Sequence, residues 1–117
     1  MSKKISKLQE IIKVNFNNSN LLIESMTHKS FDKKNNYEKL EFLGDRVLGL
    51  TISKKLIDLY PNEKEGILDK KLASLVNKNI CFEVGKNLKL YDYIQVGKQN
   101  SDKSSIQNKI ISDACEA

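Results

Sequence analysis

The stretch from about Tyr37 to Leu59 runs on without a helix stop until Pro61, the only proline in the chain. Proline cannot donate the backbone hydrogen bond and its ring clashes with the preceding turn, so it ends a helix rather than extending it. The run therefore predicts one long helix, with Leu40, Leu43, Val47 and Leu50 on a face expected to enter the core. A single helix of this length dominates a chain of 117 residues, which is enough for one compact domain and too short for two. Five glycines and many Leu, Ile and Lys residues favour an all-α architecture over a turn-rich β one.

Shorter segments complete the pattern. Apolar residues at 5, 8, 11, 12 and 14 predict an amphipathic helix over Ile5–Val14. After the polar break Asn15–Asn20, Asn20 is expected to cap a second helix over Leu21–His28. Beyond Pro61, a helix is expected over Gly66–Lys78, with Ile67, Leu68, Leu72, Leu75 and Val76 on one side. A short helix is expected over Asn79–Asn87. Leu90–Val96 reads as extended, Gly97–Ser104 as a polar loop, and Ile106 onward as a last helix without a stop signal, as though cut inside a helix.

Charge narrows the function. Residues 1–36 carry seven lysines against three acids, and residues 70–117 carry eight against five. Residues 37–69 invert this, with five basic and seven acidic side chains. An acidic centre between basic flanks suits a metal-dependent nuclease, in which carboxylates hold cations at a phosphate and lysines grip the backbone on either side. No apolar run approaches the roughly 20 residues that span a bilayer, and nothing near Met1 resembles a secretory signal. Cys81 and Cys115 lack CxxC spacing and clustered histidines, which reads as two reduced, buried thiols in a cytoplasmic protein.

The chemistry concentrates on two helices. Glu38, Glu41 and Asp45 are spaced by three and four, so they share one stripe of the long helix. By themselves they fit a solvated acidic face neutralised from elsewhere. Asp113 and Glu116 form a second i, i+3 pair in the terminal helix, with Ile110, Ile111, Ala114 and Ala117 on the other side. Two carboxylate pairs on separate helices supply four oxygen donors, the set preferred by hard divalent cations, Mg²⁺ above all. Without a His–Cys set zinc is not expected. Lys109, four residues before Asp113, fits either charge balance or a phosphate contact.

The run Glu38-Lys39-Leu40-Glu41-Phe42-Leu43-Gly44-Asp45, followed by Val47-Leu48-Gly49, closely resembles the signature of the ribonuclease III family. Thr27-His28-Lys29-Ser30-Phe31 resembles the segment leading into it, Glu65-Gly66 the acidic residue after the long helix, and Ser112-Asp113-Ala114-Cys115-Glu116-Ala117 the second acidic motif. The resemblance implies a helical endonuclease domain over residues 1–117, with Glu41, Asp45, Asp113 and Glu116 as Mg²⁺ ligands. Mn²⁺ would be able to substitute, and Asp45 and Glu116 would be central to catalysis. It further implies that Glu38 and Glu65 tune the acidic cleft and that Phe42 plugs a socket on a second subunit of a homodimer, an ordinary core phenylalanine being the alternative. The implied activity is hydrolysis of double-stranded RNA to 5′-phosphate and 3′-hydroxyl ends, in processing ribosomal and other RNA, with recognition of A-form shape more than of bases. His28, the only histidine, has no triad partners and is expected to pack or sit at a helix end.

Two positions depart from the family pattern. Lys39 stands where arginine is usual, and Arg46 where a small residue is usual. The family's domain also continues past the second acidic motif, and an RNA-binding domain often follows; neither lies within these residues. A rival of another class, a non-catalytic member of the fold acting as an RNA-binding or structural module, would lack one or more of the four acids. All four are present. An inactive fragment of a true enzyme is the other alternative.

Overall fold

The computed structural model describes residues 2–98 and 106–117. Among them are six α-helices: α1 Ser2–Ile12, α2 Ser19–Ser25, α3 Glu38–Leu59, α4 Glu65–Leu75, α5 Lys78–Asn87 and α6 Asn108–Glu116, with a 3₁₀ turn at Leu90–Asp92. The expected all-α class is what the chain adopts, and its nearest approach to a strand among the described residues is one isolated parallel bridge between Thr27 and Gln95. No described helix is long and apolar enough to cross a membrane.

Helix ends follow local chemistry, with some shifts from expectation. α1 stops at Ile12 because Lys13 turns left-handed (φ 60°), and Val14 N–H bonds back to Gln9 O at 3.2 Å. The cap of α2 is Asn18, not Asn20: the Asn18 side chain accepts from Asn20 N–H at 3.1 Å. α3 ends at Leu59, one residue from Tyr60 and two from Pro61, as expected.

The helix expected to continue to Lys78 breaks at Val76 instead. The Asn77 side chain accepts from Ile80 N–H at 2.9 Å and donates to Ala73 O at 2.9 Å, ending one helix and opening the next. The segment expected to be extended, Leu90–Val96, begins as the 3₁₀ turn after Lys89 takes a left-handed conformation (φ 56°). Only Gln95 pairs like a strand residue, through Gln95 N–H to Met26 O at 2.7 Å and His28 N–H to Gln95 O at 2.9 Å. The polar loop expected to Ser104 lies largely outside the described residues.

The core gathers around α6. Ile110, Ile111 and Ala114 are buried with Ile5 and Leu8 of α1, Leu22 and Met26 near α2, Tyr37, and Leu90 and Ile94. At about 25 cal/mol per Å², each fully buried Leu or Ile contributes on the order of 1.5–3 kcal/mol. α5 lies so close to α6 that a Cβ on Gly85 would stand 2.7 Å from Ile111 Cγ2. α3 behaves differently. Of its residues only Leu56 is buried, and Leu43, Val47 and Leu50, expected inside, are exposed, Leu50 by 74%. The periodicity that marks an amphipathic helix does not say which surface covers its apolar side. Here α3 crosses α6 near Gly44, and α4 packs along it, in an elongated molecule of 50 × 29 × 25 Å.

Candidate metal centre

Two helices bring a group of carboxylates together. Glu41 comes from the first turn of α3, and Asp113 and Glu116 come from successive turns of α6. One oxygen from each lies within 4.8 Å of the others. What permits this approach is Gly44, three residues after Glu41: a Cβ there would collide with the carbonyl oxygen of Glu116. The glycine therefore lets α3 cross the end of α6 at backbone distance, carrying Glu41 to Glu116.

A lysine that sequence reasoning missed sits among them. Lys78 Nζ lies 3.0 Å from Glu41 Oε1, 2.8 Å from Asp113 Oδ1 and 2.9 Å from Glu116 Oε1. Burial disfavours its ammonium, but bonds to Asp113, Glu116 and Glu41 outweigh that and hold its pKa above the usual lysine range. Expectation had placed Lys78 at the tail of a helix. It opens one, and the available signal was Asn77 as an N-cap. Its main chain is held from α6, where the buried Ser112 hydroxyl donates to Lys78 O at 3.1 Å.

The two buried acids of α6 are treated oppositely. Burial works against ionising Asp113, yet Lys109 at 2.6 Å and Lys78 at 2.8 Å hold its carboxyl below the usual range. Lys109 thus balances charge on Asp113. Burial pushes Glu116 up, and the neighbouring Glu41 adds to the rise against the pull of Lys78. The Glu116 side chain is 3% exposed, and its Oε2 is buried without a hydrogen-bond partner. A buried carboxylate oxygen without a partner is costly, and a coordinated cation is one way to satisfy it. The all-oxygen donor set and this orphaned atom fit a hard divalent ion.

The other expected site residues are not all brought together. Asp45 is one turn beyond Glu41 but outside the close carboxylate group among the described residues; it is half exposed, with Oδ2 3.5 Å from Arg46. Asp45 directly follows Gly44 at the crossing, yet the contact its side chain makes is with Arg46. Glu38 lines a cleft of about 370 Å³ with His28, Lys29, Tyr37, Glu41, Phe42, Lys109 and Asp113. Glu65 is the exposed first residue of α4. Phe42 is 60% exposed, so it is no core residue, and the Arg46 guanidinium stacks 3.9 Å above its ring. His28 packs edge-on to Tyr37 with Nδ1 2.7 Å from Ser30 Oγ, and burial lowers its pKa, favouring the neutral imidazole. Both cysteines are free thiols, Cys81 buried and Cys115 partly so.

A family model described as Ribonuclease-III-like matches residues 18–117. The chain belongs to the ribonuclease III–like family. It is 55% identical over 111 residues to Ribonuclease 3 of Pelagibacter ubique, covering 95% of this chain and 50% of that relative. It is 42% identical over 113 residues to Ribonuclease 3 of Aliarcobacter butzleri, covering 96% and 50%. The chain therefore spans about half the length of these curated relatives. Its fold matches the crystal structure of the nuclease domain of ribonuclease III from Campylobacter jejuni with a TM-score of 0.88 at 38% identity, covering 97% of this chain and 78% of that one. The matched span, residues 18–117, contains Glu41, Lys78, Asp113 and Glu116.

Proposed function

We propose that the chain is the catalytic domain of an endonuclease that hydrolyses double-stranded RNA with Mg²⁺ (Mn²⁺ substituting), giving 5′-phosphate and 3′-hydroxyl ends. The observation that carries this reading is the convergence of Glu41, Asp113 and Glu116 on one centre, with a buried Glu116 oxygen lacking a partner. Membership of the ribonuclease III–like family and the likeness to a nuclease domain support it. These three side chains would hold the cation, and Asp45, exposed one turn along α3, would serve it through water. When bound, the ion offsets negative charge at the scissile phosphate and lowers the pKa of a water. Lys109 keeps Asp113 ionised and therefore able to ligate. The cleft bounded by Lys29, Glu38 and Lys109 offers both signs of charge to a phosphate chain and its cation.

The exposed apolar side chains of α3, Phe42 and Leu50 among them, are proposed to meet a second copy in a homodimer. A structure of the Campylobacter jejuni nuclease domain is described as flexible in a region involved in dimer formation, which favours the same arrangement here. Two copies would set one centre against each strand of a duplex.

The test is cleavage of a long RNA duplex by the purified chain. Mg²⁺ should support cutting, EDTA should stop it, and single strands should be spared. Glu116→Gln should keep duplex binding while losing more than the ~10–100-fold typical of residues that merely support a metal ligand. Undiminished cutting by that variant would reject the assignment.

A further inference from the structure

We propose that Lys78 is the resident counter-ion of the carboxylate centre, which a divalent cation must displace in order to bind, so that Lys78 sets the affinity for the metal. The inference rests on the reading of Glu41, Asp113 and Glu116 as ligands. An ammonium has three donors; Lys78 Nζ donates to Glu41 Oε1 at 3.0 Å and Asp113 Oδ1 at 2.8 Å, and is ion-paired with Glu116 Oε1 at 2.9 Å. Mg²⁺ bound by the same oxygens would stand at about 2.0–2.1 Å from them, inside the volume the nitrogen fills. The two cations therefore exclude each other by space as well as by charge.

The two lysines of the centre differ in this respect. Among the described residues Lys109 pairs only with Asp113 Oδ2 and can remain while the inward oxygens are exchanged. Lys78 has its main chain fixed by the Ser112 hydroxyl and the Asn77 cap, but its side chain is 55% exposed, on a flexible stem that can swing away. Before metal binds, the same ammonium lets three acids stand together at the crossing of α3 and α6.

Calorimetric titration of the 117-residue chain with Mn²⁺, for wild type, Lys78→Met and Glu116→Gln, tests this. Lys78→Met should bind Mn²⁺ at least about threefold tighter than wild type, the scale of one lost ion pair. It should also melt at a lower temperature than wild type in EDTA. In ¹³C-lysine-labelled wild type, the Lys78 Cε resonance, identified by its loss in Lys78→Arg, should move toward the position of a free lysine as Mg²⁺ is added. This readout decides the matter if Lys78→Met fails to fold. Unchanged or weaker Mn²⁺ binding by a folded Lys78→Met, or a Lys78 resonance indifferent to Mg²⁺, overturns the proposal. If Glu116→Gln abolishes binding while Lys78→Met leaves it unchanged, the counter-ion role fails and the ligand assignment stands. Absence of Mn²⁺ binding in every chain defeats both.

Discussion

Gly44 of α3 abuts the main-chain carbonyl of Glu116, so closely that a methyl group at residue 44 would overlap that oxygen. The contact joins backbone to backbone, and neither partner can rotate out of the way. Gly44→Ala should therefore push α3 off α6, destabilising the chain by about 1–3 kcal/mol, the usual cost of overpacking. It should also weaken Mn²⁺ binding, because Glu41 travels with α3. Gly66, in the first turn of α4, has open space where a Cβ would go. Gly66→Ala should stabilise by about 0.5–1 kcal/mol through helix propensity. Urea denaturation of both variants checks the pair, and equal effects would contradict the argument.

Asp113 and Glu116 should give the metal-free chain opposite responses to pH. The Asp113 pKa is lowered by Lys109 and Lys78 despite burial, so its contribution to stability is present above the unfolded value of 3.8 and is lost as pH falls through the folded value. The Glu116 pKa is raised by burial, so its contribution is present below the unfolded value of 4.5 and lost as pH rises through the folded one. In EDTA near neutrality, Asp113→Asn should destabilise, with the deficit shrinking below about pH 4. Glu116→Gln should be neutral or stabilising. Urea midpoints across acid and neutral pH measure this, and a Glu116→Gln loss matching that of Asp113→Asn would count against it.

Leu50 and Phe42 are among the exposed apolar side chains of α3. Leu50→Glu should change monomer stability by no more than about 0.5 kcal/mol, as is usual for exposed positions. It should shift the chain toward monomer in light scattering. An unaltered mass distribution would show that this face is not the contact between copies.

Cys81 should react slowly with alkylating reagents. Burial pushes its thiol up to about 11, and Cys115 is raised for the same reason. Labelling of the folded chain followed by mass spectrometry should show little modification at mildly alkaline pH, with a rate that climbs toward pH 11. Rapid labelling of Cys81 near neutrality would contradict its burial.

The helical class, the long α3 with its stop before Pro61, and the pairing of Asp113 with Glu116 were legible in the sequence. Each depends on neighbours within a turn or two along the chain. The motifs likewise pointed to Glu41, Asp113 and Glu116 before any contact was known. Three features were not legible. The exposure of Leu43, Val47 and Leu50 depends on where α3 lies relative to the core, and periodicity carries no information on that. That Glu41 joins the close group while Asp45 stays outside it is not written in the stripe, since both residues share that stripe of the same helix. Lys78 is 37 residues from Glu41 and 35 from Asp113, and nothing local marks it as their partner. Local hydrogen bonding and side-chain period thus determined the elements and the acidic stripes. The tertiary structure decided which stripe ends meet, because that depends on how closely two backbones can approach, and here Gly44 sets the distance.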